Sequence, residues 1–125
     1  MTSIVATTEA PAALGPYSQA VKANGLLFTA GQVPLRLDGT MVEGSIAEQT
    51  EQVMKNLEAV LAAAGCGFHD VVKSTCFLRD MDDFTEFNAV YGSRFGSAPP
   101  ARSTVPVAGL PKGARVEVEL VALLP

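Results

Sequence analysis

The sequence predicts an α+β fold in which two helices cover one face of a single β-sheet. Segments with strand character and segments with helical spacing follow one another along the chain, separated by short turns. No repeat, low-complexity tract or linker divides the 125 residues, of which 48% are hydrophobic and 18% are charged. Such values are typical of one soluble domain with one core, so we predict a single domain over residues 1–125.

The first two strands are predicted over residues 18–23 and 26–30, and Asn24-Gly25 separates them. Type I′ turns prefer Asn-Gly because both central residues of that turn need a positive φ. These strands are therefore predicted to form a β-hairpin.

The first helix is predicted to begin after Ser45 and to end before Gly65. Ser45 and Glu48 have the spacing of a capping box, and glycine often follows a helix C-terminus. Between them, residues that can line one helical face recur at the required spacing: Ile46, Thr50, Val53, Met54, Leu57, Val60, Leu61 and Ala64.

A middle strand is predicted over residues 71–78, and both of its faces are partly apolar. Simple alternation divides its side chains between the two faces, with Val72, Cys76 and Leu78 on one and Val71, Thr75 and Phe77 on the other.

The second helix is predicted to begin near Asp83 and to end at Gly96. Its stripe at helical spacing consists of Phe84, Phe87, Asn88, Tyr91 and Phe95. We interpret this aromatic stripe as core packing rather than as a ligand cage.

The last strands are predicted over residues 103–107 and 114–123. In the final strand, alternation places Val116, Val118 and Leu120 on one face, and Glu117, Glu119 and Val121 on the other.

The uncovered face of the sheet predicts self-association. Two helices can cover only one face of a sheet of this size, which leaves Val71, Thr75, Phe77 and Val121 facing water. A monomer tolerates such an apolar patch poorly, so we predict a homo-oligomer that buries it. Clefts between subunits are then natural places for a small-molecule site.

Charge and composition exclude several classes of function. The net charge is −4 and the nine cations are scattered, which argues against a nucleic-acid partner. His69 is the only histidine, so a metal site with two imidazoles is excluded. Cys66 and Cys76 lack CxxC spacing, and Cys76 is interpreted as an inert buried thiol.

No apolar run approaches the roughly 18 residues of a membrane span, and the N-terminus lacks signal-peptide features. We therefore predict a cytoplasmic protein with no membrane partner.

Arg102 is the strongest candidate for chemistry. Pro99 and Pro100 stiffen the backbone that leads to it, so a guanidinium there loses little freedom when it binds a carboxylate through two hydrogen bonds. The alternatives are a structural salt bridge and a solvated loop charge.

Four further residues are candidates for the same site. Glu117 and Glu119 share one strand face; they are either solvated or, in a cleft opposite Arg102, able to orient a water. Tyr17 follows the rigid pair Gly15-Pro16 and either lines a pocket or begins a strand. Gly31 ends a strand and either allows a ligand close to the backbone or serves a turn.

The motifs of this chain resemble those of the RidA (YjgF-type) reactive-intermediate deaminases. The resemblance covers essentially the whole chain, through Gly15-Pro16-Tyr17-Ser18-Gln19-Ala20, Ala30-Gly31-Gln32-Val33-Pro34, Ala64-Gly65, Val72-Lys73-Ser74-Thr75, Asp82-Asp83-Phe84, Pro100-Ala101-Arg102-Ser103 and Leu110-Pro111-Lys112-Gly113.

The resemblance implies a chorismate-mutase-like α+β fold with a mixed sheet. It also implies a homotrimer whose sheets form an inner barrel, with clefts between neighbouring subunits. The implied activity is hydrolysis of 2-iminobutanoate and 2-iminopropanoate, made by pyridoxal-phosphate-dependent dehydratases, to 2-oxo acids and ammonia. No cofactor and no metal are implied.

Matched by position, Arg102 corresponds to the arginine that binds the substrate carboxylate, and Tyr17 to the tyrosine of the cleft. Glu119 is matched to the glutamate that acts on water, and Gly31 and the Thr104 backbone to substrate contacts. Thr104 stands where many bacterial members have cysteine. Two alternatives remain: a ribonuclease or translation inhibitor, and a non-catalytic ligand-binding or chaperone-like trimer of the same fold.

Overall fold

A six-stranded mixed sheet with two helices on one face makes up the fold in the computed structural model, which describes residues 2–125. In chain order the elements are β1 (Thr2–Val5), β2 (Ala20–Ala23), β3 (Leu26–Thr29), α1 (Ile46–Ala63), β4 (Val71–Leu78), α2 (Phe84–Gly92), β5 (Ala101–Pro106) and β6 (Val116–Leu123). The strands lie in the order β1-β2-β3-β6-β4-β5. Only β4 and β5 pair in parallel; the other neighbours are antiparallel. The predicted α+β class is confirmed.

The predicted hairpin is confirmed, although its strands are shorter than expected. Asn24 and Gly25 have φ angles of 53° and 79°, which are the positive values that a type I′ turn requires. Strand β1 pairs with β2 and was absent from the sequence prediction. Only its last residue, Val5, is buried, so this strand carries no alternation that the sequence could reveal.

The first helix begins and ends where its capping residues indicate. The Ser45 Oγ accepts a hydrogen bond from the Glu48 N–H at 3.1 Å, and the Glu48 carboxylate accepts one from the Ser45 N–H at 3.2 Å. Gly65 has a φ of 79°, the left-handed conformation that glycine adopts freely. The apolar face of α1 lies against the sheet, and Val53, Leu57 and Leu61 are completely buried.

The second helix is shorter than predicted, because it ends at Gly92 rather than at Gly96. The next residues continue as tighter turns, in which the Ser93 and Arg94 N–H groups donate to carbonyls three residues earlier. Phe87 and Tyr91 are buried, which confirms the interpretation of the aromatic stripe as packing.

The assignment of faces at the start of β4 was wrong. Val71 is 6% exposed and belongs to the core, whereas Val72 is 41% exposed. A register irregularity between Val71 and Lys73, where β4 pairs with β6, inserts an extra residue and reverses the alternation. From Ser74 onwards the alternation holds, with Cys76 and Leu78 buried beneath the helices.

The other face of the sheet carries no helix. On β6, Val116, Val118 and Leu120 are buried under the helices, so Glu117, Glu119 and Val121 point the opposite way. Glu117 pairs with Phe77 of β4 and Glu119 with Thr75. We call this helix-free side the open face.

Strand β5 starts two residues earlier than predicted, so Arg102 lies within a strand rather than on a loop. Arg102 pairs with Ser74 and Thr104 with Cys76, and both partners are core residues on the helix side. Arg102 and Thr104 therefore project towards α2. No helix among residues 2–125 has the length and apolar character to cross a membrane.

Candidate active site

A pocket of about 440 Å³ lies where the segment before β2 meets the end of β3 and the start of β6. We call it the Tyr17 pocket. Its lining consists of Pro11, Ala12, Leu14, Gly15, Pro16, Tyr17, Gln19, Ala30, Gly31, Gln32, Val33, Leu35, Pro111 and Glu117. Two residues predicted for the site, Tyr17 and Gly31, are thus brought together.

Tyr17 is held by a tight turn, yet half of it is open to solvent. Its N–H donates to the Gly15 carbonyl at 2.8 Å, and its Oη accepts from the Leu14 N–H at 3.1 Å. Because the oxygen accepts this bond, the phenolic proton is left to donate elsewhere. The residue is 51% exposed, so a ligand in the pocket can reach it.

Gln19 fixes the wall of the pocket and was not recognised in the sequence. Its side-chain oxygen accepts from the Thr7 N–H at 2.7 Å, and its amide nitrogen donates to the Pro11 carbonyl at 2.8 Å. The side chain is buried and ties residues 7–11 to the start of β2. The one sign in the sequence that Gln19 belongs to the pocket is its position two residues after Tyr17.

The Glu117 carboxyl group packs against the backbone of Gly31. A Cβ built on Gly31 would lie 2.7 Å from the Glu117 Cδ, so any larger residue at this position would force the Glu117 carboxyl group to move. The adjacent Gln32 exchanges two backbone hydrogen bonds with Val118, of 2.9 and 3.2 Å, which lock this segment to β6. The sequence left two interpretations of Gly31, a close approach by a ligand or a turn, and the group that lies against it in this structure is the Glu117 carboxylate of the same chain.

Glu117, rather than Glu119, is the acidic residue of the Tyr17 pocket. Burial, together with the negative charge of Glu119, raises the pKa of the Glu117 carboxyl group. Glu119 lies two residues further along the same face and is not among the residues that line the pocket. Both glutamates were candidates, and alternation alone could not separate them because they share a face.

Arg102 is held by aromatic rings and one amide. Its Nη1 donates to the Asn88 Oδ1 at 2.8 Å. Its Cζ lies 4.9 Å from the ring centre of Tyr91, 5.5 Å from that of Phe84 and 5.8 Å from that of Phe87. We call these three rings of α2 the aromatic platform.

No carboxylate of residues 2–125 forms an ion pair with Arg102. The alternative of a structural salt bridge therefore finds no support, and neither does that of a solvated loop charge. A half-buried guanidinium without an anion, its other N–H groups unused within the described chain, is suited to an external carboxylate.

Thr104 offers a backbone donor beside Arg102. The Val107 N–H donates to the Leu78 carbonyl at 3.0 Å, so N–H groups at odd positions of β5 point into the sheet. By alternation the Arg102 and Thr104 N–H groups point out from the edge. The Thr104 Oγ1 is buried and has no hydrogen-bond partner among residues 2–125.

Cys76 lies beneath this edge and is not a nucleophile at neutral pH. It is completely buried, and burial raises the pKa of its thiol to about 11. Among residues 2–125, no three His, Cys, Asp or Glu side chains are grouped closely enough to hold a metal ion.

The predicted site residues thus form two halves on opposite faces of one sheet. Tyr17, Gly31 and Glu117 meet on the open face at the start of β6. Arg102 and Thr104 lie on the helix side of the edge strand β5. A single chain does not bring the guanidinium to the carboxylate.

Comparison with known proteins identifies the class to which this chain belongs. The family described as endoribonuclease L-PSP matches residues 7–124. The chain is 54% identical to the RutC family protein slr0709 of Synechocystis over 98% of its own length and 96% of that protein. It is 46% identical to 2-iminobutanoate/2-iminopropanoate deaminase of Mus musculus, over 96% of this chain and 90% of the mouse protein.

The same relationship is seen among solved structures. The crystal structure of E. coli TdcF with bound serine superposes with a TM-score of 0.93, at 35% identity and over 98% of this chain and 99% of the other. This chain therefore belongs to the endoribonuclease L-PSP family, which is the YjgF/RidA family of the sequence resemblance.

Proposed function

We propose that this protein is an imine deaminase that hydrolyses short 2-imino acids, such as 2-iminobutanoate and 2-iminopropanoate, to 2-oxo acids and ammonia. The observation that carries the proposal is a guanidinium without an internal anion, Arg102, in a fold whose opposite face holds an acidic pocket. The deaminase name of the mouse relative supports the same reaction.

The site is completed by a second copy of the chain in this proposal. We call the free edge of β5 that carries Arg102 and Thr104 the Arg102 edge. The Arg102 edge of one subunit meets the Tyr17 pocket of its neighbour, and the open faces pack together in a homotrimer. Arg102 then binds the substrate carboxylate through a forked pair of hydrogen bonds, and the outward Thr104 N–H donates to the same end of the substrate.

The chemical step uses Glu117 as the base. Glu117 is the carboxylate beside Tyr17 and Gly31. Glu119, which the resemblance matches to this role, lies two residues further along the same face and is the alternative base. Glu117 takes a proton from water as the water oxygen bonds to the imine carbon, and it passes that proton to the imine nitrogen to give the carbinolamine. It then takes the proton of the carbinolamine hydroxyl and delivers it to nitrogen as the C–N bond breaks, the C=O bond forms and ammonia leaves. The phenolic proton of Tyr17 polarises the reacting group. No step needs a cofactor or a metal.

A coupled assay tests the activity. A threonine dehydratase supplies 2-iminobutanoate from threonine, and the extra rate of 2-oxobutanoate release on adding this protein is measured. We expect acceleration by the parent protein and almost none by the Arg102→Ala variant. Equal acceleration by both would remove Arg102 from the mechanism, and none by the parent would reject the deaminase.

Mixing two inactive variants tests the shared site. Arg102→Ala and Glu117→Gln subunits are unfolded together and refolded as one population. In a cyclic trimer, each mixed assembly contains one interface with both native groups, so random mixing restores about a quarter of the sites. Separately refolded variants, mixed afterwards, are the control. Recovery no greater than in the control would place both groups in one subunit's site.

The ribonuclease alternative predicts a different result. Cleavage of RNA needs contacts to phosphate, and Arg102 is the cation that the site offers in a chain of net charge −4. We expect no RNA cleavage by purified protein at low or high salt. Cleavage that disappears in the Arg102→Ala variant would favour the ribonuclease.

A further inference from the structure

We propose that the aromatic platform, fixed from below by Ser74, is a positioning device that supports the Arg102 guanidinium and aims it correctly. Tyr91 is its central positioning residue. The inference deepens the proposed function, because it assigns the residues that prepare Arg102 for a carboxylate.

The first step of the argument concerns what stabilises the cation. A half-buried guanidinium usually has a carboxylate partner, because its loss of hydration must be compensated. Arg102 has none within residues 2–125 and lies instead over three rings, at 4.9 to 5.8 Å. Aromatic faces attract a cation without using its N–H groups. The rings therefore stabilise the cation without occupying any of its N–H donors.

The second step concerns direction. Asn88 accepts from Nη1 at 2.8 Å, so one corner of the guanidinium is fixed. The rings restrict the plane of the group from one side. With one corner and one face occupied, the remaining N–H groups are left to bind a carboxylate as a fork.

The third step concerns the platform itself. The Ser74 Oγ and the Tyr91 Oη share a buried hydrogen bond of 2.6 Å, which ties the nearest ring to β4, the strand next to the edge strand β5. Ser74 is completely buried and pairs with Arg102 in the β4–β5 register. The same short stretch of sheet therefore positions both the guanidinium and the ring beneath it.

The arrangement explains two features that packing alone does not require. A serine in the centre of an apolar strand face is costly unless its hydroxyl has a partner, and Tyr91 is that partner. The tyrosine hydroxyl is likewise buried, and burial raises its pKa. Phenylalanine and alanine would fill these places without a buried polar pair.

The first test is spectroscopic and needs neither ligand nor activity. The Nε–Hε NMR signal of Arg102, identified by its absence in Arg102→Lys, should be displaced by the ring currents of the platform. In Tyr91→Leu it should move towards the position of a solvated arginine, whereas in Tyr91→Phe it should keep most of its displacement. An unchanged signal in folded Tyr91→Leu overturns the proposal.

The second test measures carboxylate binding by calorimetry with 2-oxobutanoate. We expect affinity to fall about tenfold in Tyr91→Leu and about threefold in Tyr91→Phe or Ser74→Ala. Ser74 and Tyr91 act through one bond, and either substitution already breaks it. The double variant Ser74→Ala/Tyr91→Phe should therefore bind 2-oxobutanoate as tightly as the single variant with the lower affinity. Fully additive losses would show that the two hydroxyls act independently and not through their shared bond, which would overturn the role of the buried pair.

Two matched controls separate positioning from general stability. Thr50→Val removes another completely buried hydroxyl, on α1, and Phe68→Leu removes a ring beneath a different arginine, Arg94. Both should leave the Arg102 signal and the affinity unchanged, whatever they do to the melting temperature. If the controls weaken binding as much as Tyr91→Leu does, the effect is one of stability and the proposal fails.

The two proposals fail separately. A platform-dependent Arg102 signal without acceleration in the dehydratase assay would reject the deaminase and retain the platform. Acceleration by the parent, with equal KM in the parent and in folded Tyr91→Leu, would reject the platform and retain the deaminase.

Discussion

The Tyr17 pocket and the Arg102 edge differ in how their surroundings treat a charged group. In the pocket, a carboxylate is crowded by burial and by a second carboxylate, so its negative charge is destabilised and its pKa is raised. At the edge, a cation is supported by rings and an amide, and no anion neutralises it. Each region has the charge that the other lacks, which teaches that neither is a complete site for a small acid.

The largest expected effect comes from the Arg102 edge. Arg102→Lys keeps the charge but loses the planar fork, so kcat/KM for 2-iminobutanoate should fall about 300-fold. The coupled dehydratase assay measures it, and Arg36→Lys on an exposed loop is the matched control. A loss below about fivefold would mean that charge alone suffices at this edge.

The two glutamates of the open face provide the next test. Glu117→Gln should lower kcat on the order of a hundredfold, because a general base is lost. Glu119→Gln should retain most of kcat, since Glu119 does not line the pocket. The reverse order would return the role to Glu119 and contradict the assignment made from the pocket.

Lowering the pH should reduce activity by protonating Glu117 in the Tyr17 pocket, and not by any change at Arg102. Only ionised Glu117 accepts a proton, and its pKa is raised, so kcat/KM should fall at a higher pH than an ordinary glutamate would cause. Glu119→Gln removes the like charge and should move this fall to lower pH. A profile that does not shift would show that Glu119 has no influence on the base.

The same carboxyl group should link stability to pH. Because its pKa is raised in the folded state, protonation of Glu117 favours folding below its ordinary pKa, and this benefit is lost as pH rises through the raised value. Glu117→Gln should therefore melt higher than the parent at pH 7 and lose that advantage in acid. Thermal melts at both pH values would refute the linkage if the difference stayed constant.

A smaller effect is expected at Gly31. Gly31→Ala places a methyl group against the Glu117 carboxyl, which must move, and kcat should fall about tenfold to thirtyfold. In a Glu117→Gln background, the same substitution should cost much less, since the base is already absent. Equal losses in both backgrounds would indicate that Gly31 acts on the substrate and not through Glu117.

The smallest expected effect is at Asn88. Asn88→Ala removes one hydrogen bond to the guanidinium while the rings remain, so KM should rise about fivefold with little change in kcat. Asn24→Ala, in the distant hairpin turn, serves as a control for KM. A fall in kcat instead of a rise in KM would place Asn88 nearer the reacting atoms.

Local chemistry explains why much of the fold could be predicted. The Ser45–Glu48 capping box and the Asn24-Gly25 turn each satisfy a requirement of a few neighbouring residues, and both were confirmed. The prediction of which face of β4 carries Val71 and which carries Val72 was wrong. The bulge that reverses these two residues depends on how β4 pairs with β6, and no local sequence pattern contains that information.

The candidate site was predictable in residue type and less so in arrangement. Arg102 stood out because of the prolines before it, and Tyr17 because of Gly15-Pro16. That Glu117 lines the Tyr17 pocket and Glu119 does not depends on the approach of Gly31 to β6, a contact between residues 86 positions apart. Asn88 was visible in the aromatic stripe, but its bond to Arg102 depends on how α2 packs over β5.

The proline that ends β5 also limits how far the sheet can grow. Arg102 and Thr104 present N–H groups along the free edge, but Pro106, the next outward position, has none. An additional strand docking there would find two donors and then an interruption, so continuous chain-to-chain stacking is discouraged. In the proposed site this edge stays open for a ligand, and the proline protects it against fibre formation.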